Sequence, residues 1–274
     1  MKTSTPIALS LLLSLSPLAL EGCKKDGDST PPDDASTTTG DVPDDGGDEG
    51  PQVVPQDPDP PELAQALQSF VLGDMAAVTG ATEPLMGSLT EPSQARANGI
   101  ASALFALATA EDLAENAQEP AENALAKANE VHDPEVLQLA HIALGAHHVG
   151  VGDGAAAQTE FEAALAESGP NTALANLYLA QAHVAQAFDE SDKLVNPGKL
   201  DEAEAAYQAA IDGSDDAGIK GRGLSGLAAV AKFRGKLADV CTHAAAAAEQ
   251  LAAAGANDYL TEVPSILSND AKCK

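Results

Sequence analysis

Apolar residues recur at three- and four-residue spacing along most of this chain, from residue 62 to residue 263, and alanine and leucine dominate those positions. That period is helical, and Ala and Leu favour helices. β-branched residues are sparse there, and Gly and Pro fall at the expected helix ends. The predicted fold class is therefore all-α. Two other patterns precede it. Ile7 to Leu20 is an apolar run, and residues 24–61 contain almost nothing apolar beyond Val42, Val53 and Val54.

The helical region repeats. Counting from Leu144-Gly145, His148 follows Gly145 by three residues, Gly152-Asp153 by seven and eight, Ala157 by twelve, Phe161 by sixteen and Ala164 by nineteen, and Gly169-Pro170 closes the unit. Leu179-Ala180 stands 35 residues further on, followed by Gly198-Lys199-Leu200, Ala203, Tyr207 and Ala210, with an insertion of about eleven residues near 186–196. A third unit runs through Leu224, Leu227-Ala228, Gly235-Lys236-Leu237, Val240, Ala244 and Ala247. A degenerate earlier unit runs from Phe105 to Asp133-Pro134, and residues 62–90 read as one more helical pair broken at Gly73-Asp74, Gly80 and Pro84.

This spacing resembles the tetratricopeptide repeat, with His141 and His148 standing at the places of its tryptophan and tyrosine. The resemblance implies an α-solenoid of antiparallel helical hairpins, in which small residues allow close helix approach and Phe161 and Tyr207 fill the space between hairpins. The motif specifies only small and apolar places, so an unrelated Ala-rich helical bundle is the alternative.

By the same resemblance, the first helix of each hairpin lines a concave surface. The candidate groove residues are Leu139, Ile142 and Val149, then Leu174, Leu177, Gln181 and Val184, then Arg222, Lys232 and Phe233. Ala146, Ser225 and Ala229 fall on the same faces, and Arg234 adds a cation beside Arg222 and Lys232. Two dispositions are compatible with these positions. The groove is open to a peptide, with the cations holding a carboxylate, or the leucines are covered by residues 62–100, by the insertion or by a further helix, and the cations offset Asp215 and Asp216.

The N-terminal pattern has its own resemblance. The apolar stretch of residues 6–20 is about 15 residues long, short of the roughly 20 that span a bilayer. Lys2 precedes it, and Leu20-Glu21-Gly22-Cys23 closes it. This is similar to a bacterial lipoprotein signal peptide, matching at Leu20, Gly22 and Cys23 and departing at Glu21; an ordinary secretory signal is the alternative. The resemblance implies lipidation of Cys23 and, with Lys24 rather than Asp after it, an outer-membrane location. Two or three acyl chains anchor stably where one is marginal. The membrane is then reached through the Cys23 lipid alone.

Composition sharpens this. The chain has 42 acidic and 14 basic residues, a net charge of −28. Such a surface excludes nucleic acid as a partner, since phosphates demand a basic face. Residues 24–61 hold eleven acidic and two basic residues among Pro and Gly. Residues 23–61 therefore read as a lipidated cysteine with a disordered tether, spanning roughly 35 Å as a coil and about 120 Å fully extended. The expected organisation is a signal peptide over 1–22, the tether over 23–61, an N-terminal helical region over 62–136, repeats over 137–254 and a C-terminal tail over 255–274.

With Cys23 lipidated, Cys241 and Cys273 remain as an even pair in a compartment that permits disulfides. They form a bond worth roughly 3 kcal/mol in the loop-entropy picture, or stay as two thiols. Chemistry is otherwise sparse. His141, His148 and His183 fall at packed places of the repeat, and no phosphate loop, nucleophile elbow or HExxH motif occurs. No catalytic, metal or cofactor site is expected, and the chain does not read as an enzyme. Two functions stay open: an envelope adaptor that holds another envelope protein or peptide, and a structural or ligand-carrying envelope lipoprotein with no open groove.

Overall fold

The computed structural model describes residues 54–273. The signal segment, Cys23 and the tether up to residue 53 lie outside the described residues. The described part is all-helical: α1 (Pro61–Val71), α2 (Met75–Ser88), α3 (Ala95–Asp112), α4 (Gln118–Val131), α5 (Pro134–Gly150), α6 (Gly154–Ala166), α7 (Thr172–Ala187), α8 (Gly198–Asp212), α9 (Ala217–Phe233), α10 (Leu237–Ala254) and α11 (Asp258–Asp270). None of them is long and apolar enough to cross a membrane.

Local chemistry sets the helix starts. Asp133 accepts from the backbone N–H of Glu135 and Val136 at 3.0 and 3.2 Å, and Pro134 fills the first helical position of α5. Asp153 caps α6 through Ala156 N at 3.0 Å, and Asp216 caps α9 through Gly218 N and Ile219 N at 2.7 and 3.0 Å. Each carboxylate satisfies N–H groups that the first turn leaves without partners. Between α5 and α6 the chain reverses at Gly152, whose φ of 84° suits a residue without Cβ. Gly73-Asp74 makes the equivalent turn between α1 and α2. Gly80 and Pro84, expected to break that pair, lie inside α2 instead. Both sit on a largely exposed helix, and a Cβ at Gly80 would meet nothing within 4 Å, so neither position is constrained by packing.

Each helix packs on its sequence neighbour, and the odd-numbered helices α1 to α11 also pack on one another in order. The odd-numbered helices therefore make a continuous row, and the side of it that Phe70, Tyr178 and Arg222 share is called its inner face. Close approach depends on missing side chains. A Cβ at Gly145 would stand 2.3 Å from the Phe161 ring, and one at Gly226 would stand 2.3 Å from the Tyr207 ring. Phe161 and Tyr207 are themselves fully buried. The insertion folds back as a short bridge between Phe188 and Leu194, with the Phe188 ring 4.7 Å from that of Phe233.

Residues 255–274, expected as a tail, carry α11. Asn257 caps it by accepting from Leu260 N at 2.9 Å. The same residue reaches the turn between α1 and α2: its backbone N–H donates to Leu72 O at 3.0 Å and its side-chain amide donates to Gly73 O at 2.7 Å. A disulfide joins Cys241 of α10 to Cys273 just after α11, with Cα atoms 5.5 Å apart.

Candidate functional site

The inner face is filled from the N-terminal side by α1. Leu63, Ala66, Phe70 and Val71 are buried. The Phe70 ring lies stacked at 6.3 Å from that of Tyr178 on α7. Arg96 on α3 pairs with Asp59, just before α1, and with Asp133 and Glu135 at the start of α5, which ties the approach to α1 onto two inner helices.

What α1 leaves unfilled is a cavity of about 470 Å³. The ends of α3 and α5, the middle of α7, one stripe of α9 and the facing sides of α10 and α11 wall it. The α9 stripe is Arg222, Ser225, Ala229, Lys232 and Phe233, at spacings that keep one helix face inward. Gly221 and Gly223 turn toward α10 and α8, where a Cβ would meet Leu251 at 2.6 Å and Ile211 at 2.7 Å. Arg222, between them, is left on the inner face.

Arg222 is the centre of the site. Its side chain is only 10% exposed. Its guanidinium carbon lies 5.5 Å from the Phe70 ring centre and 5.7 Å from that of Tyr178, within cation–π range. Its Nη2 stands 3.7 Å from Glu111 Oε1, beyond hydrogen-bonding reach. Its buried Nη1 has no hydrogen-bond partner among the described residues. Glu111 Oε1 instead accepts the Tyr178 hydroxyl. Burial, then the adjacent Glu111 charge, pushes the Tyr178 phenol well above its ordinary range, so it stays protonated and donates. Burial opposes the Arg222 charge, but Tyr178 and Glu111 outweigh it and the guanidinium remains a cation.

Glu111, Asp112 and the half-exposed Tyr259 stand at the solvent side of the cavity. Burial and the neighbouring Glu111 raise the Asp112 carboxyl. The far walls are apolar, with Val149, Leu251 and Leu267 among them.

The structure divides the expected groove residues. Val149, Gln181, Arg222, Lys232 and Phe233 line the cavity. Leu139, Ile142, Leu174, Leu177 and Val184 do not; each is at most 1% exposed, inside the core. They are enclosed because neighbouring helices close over them. The cation cluster is also dispersed: Lys232 pairs with Asp270 of α11, and Arg234 turns outward to Asp201 and Glu204 of α8. Lys220, rather than Arg222, faces Asp215, at 3.9 Å.

The histidines serve local contacts. His141 Nδ1 is 2.8 Å from Glu160 Oε2, and His148 lies beside His147 with ring centres 5.3 Å apart. The buried His183 sits 3.3 Å from Glu202 and 3.4 Å from Lys199. No group of three His, Cys, Asp or Glu side chains among the described residues is arranged to hold a metal.

Sequence reasoning missed Phe70, Glu111, Tyr178 and Tyr259. A signal for two of them existed: the chain holds only three tyrosines, and Tyr178 immediately precedes the Leu179-Ala180 pair of the repeat. No protein-family model matches the chain, and no curated protein matches it.

Proposed function

We propose that this chain is a lipid-anchored cell-envelope protein whose tetratricopeptide-like hairpins, stacked as a solenoid, enclose a small-ligand site. It binds and carries its ligand without transforming it. The observation that supports this is the cavity of about 470 Å³ with the buried Arg222 in its wall. That volume falls within the roughly 300–1,000 Å³ of small-molecule sites, and apolar walls with a few placed polar groups are their usual lining. An open peptide groove has less support, because α1 occupies the inner face and five of the apolar groove residues are enclosed.

The anchor rests on the resemblance at Leu20, Gly22 and Cys23, and the acidic stretch after Cys23 suits a spacer between an outer-membrane lipid and the helical part. Cys23→Ser abolishes fatty-acid labelling in cells; labelling that persists overturns the anchor. For the site, mass spectrometry under non-denaturing conditions on protein released from its membranes tests the carrier. A bound small molecule that is lost from the Ser225→Phe variant supports it. A cavity that is empty in both proteins, with an envelope peptide captured instead, returns the chain to the adaptor function.

A further inference from the structure

We propose that the cavity selects a small monocarboxylate with an apolar body, its carboxylate held by Arg222. The inference rests on the reading of the cavity as a ligand site and adds the ligand's chemistry.

Arg222 is a permanent cation taken almost wholly out of water. Burying such a charge is costly unless it is paired and hydrogen-bonded. The rings of Phe70 and Tyr178 offset part of that cost. Even with the Tyr178 oxygen beside it, the guanidinium is left with an unsatisfied N–H group. Nη1 has no partner among the described residues, and the nearest carboxylate, Glu111, stands 3.7 Å from Nη2 while its Oε1 accepts from Tyr178. The guanidinium is therefore held in place with donors to spare. Its planar fork matches two oxygens of one carboxylate.

The surroundings restrict the ligand's charge. Glu111 and Asp112 line the cavity on its solvent side, and the chain as a whole carries −28. Lys232, the second cation in the wall, is already paired with Asp270. Glu111 already offsets the Arg222 charge at 3.7 Å, so what the guanidinium lacks is a hydrogen-bond acceptor at Nη1 rather than a counter-charge. A singly charged carboxylate supplies such an acceptor, whereas a phosphate dianion would meet stronger repulsion from Glu111 and Asp112. Val149, Leu251, Leu260, Val263 and Leu267 then supply apolar contact for the rest of the ligand. Such a carboxylate can belong to a free organic acid or to the C-terminus of a short peptide.

Titration calorimetry on the full chain tests this with four probes: octanoate, octanamide, N-acetyl-glycyl-leucine and its C-terminal amide. At least one acid binds about tenfold or more tighter than its amide, the scale of one charge-assisted contact, and which acid binds identifies the source. Arg222→Gln removes that preference. Ser225→Phe, which leaves Arg222 in place, blocks both members of the pair. Should Arg222→Gln fail to fold by circular dichroism, the acid–amide comparison on the unaltered chain and the Ser225→Phe variant decide the matter. Equal binding of acid and amide overturns the carboxylate assignment and leaves the carrier function standing. No binding by any probe overturns both. A preference for the acid that survives in a folded Arg222→Gln variant removes Arg222 from the role.

Discussion

Replacing Phe70 by alanine tests the central packing claim, that α1 fills the inner face. The Phe70 side chain is fully buried, stacked on Tyr178 at 6.3 Å and covered by the Arg222 guanidinium at 5.5 Å. Truncating a buried Phe to Ala costs about 3–5 kcal/mol through lost transfer energy and the cavity left behind. The aromatic pair and the desolvated cation–π contact contribute about 1–2 kcal/mol of that beyond simple burial. Phe70→Leu separates the two parts, because it keeps most of the apolar volume and removes the ring; its expected cost is about 1–2 kcal/mol. Urea unfolding followed by circular dichroism measures both. In a domain of this size, a loss of about 4 kcal/mol lowers Tm by roughly 8–16 °C. A Phe70→Ala change below about 1 kcal/mol would mean that α1 does not dock on the inner face. A double-mutant cycle with Arg222→Met that shows no coupling would remove the cation–π contact from the account.

Three further outcomes follow from named contacts. Cys241→Ser opens a cross-link between residues 32 apart and lowers stability by roughly 3–4 kcal/mol; thiol titration of the unfolded, unreduced protein should find neither Cys241 nor Cys273 free. Tyr207→Phe removes a buried hydroxyl that lacks a partner among the described residues, so it should leave denaturant stability unchanged or raise it by about 1 kcal/mol, and a clear loss would show that the hydroxyl is satisfied. Burial, then Lys199, holds the His183 imidazole below its ordinary value near 6.5. The neutral ring therefore contributes stability that is complete above about pH 6.5 and is lost as pH falls toward the folded-state value, at no more than about 1.4 kcal/mol per pH unit. His183→Gln should flatten that slope in thermal melts, and equal slopes would refute the assignment.

The parts of the fold that were legible in the sequence are those set by short-range chemistry. The turn at Gly152-Asp153 and the buried rings of Phe161 and Tyr207 follow from residues within one hairpin or its neighbour. The covering of the inner face by residues 62–100 is one of two dispositions that the sequence leaves open, and the sequence cannot choose between them. Periodicity marks Phe70 as apolar but cannot name its partners, Tyr178 and Arg222, which are more than a hundred residues away. Helix α11 falls where a tail was expected, and it carries Pro264 in its interior, where proline is ordinarily disfavoured. The groove residues show the same boundary. Their spacing puts Leu139 and Arg222 on comparable faces, yet one is core and the other lines the cavity, and only the helices that cover them decide which.

The contact between Asn257 and the Leu72–Gly73 turn has a consequence for how the protein comes apart. A linear array of hairpins frays from its ends, since each terminal unit has one neighbour. Here the first and last helix pairs of the described residues hold each other across a separation of 184 residues. Opening of either terminal helix pair breaks the two hydrogen bonds that Asn257 makes to the Leu72–Gly73 turn, so the two openings are expected to be coupled. Amide exchange in α1 and α11 should therefore rise and fall together, and Asn257→Ala should uncouple them into two independently opening segments.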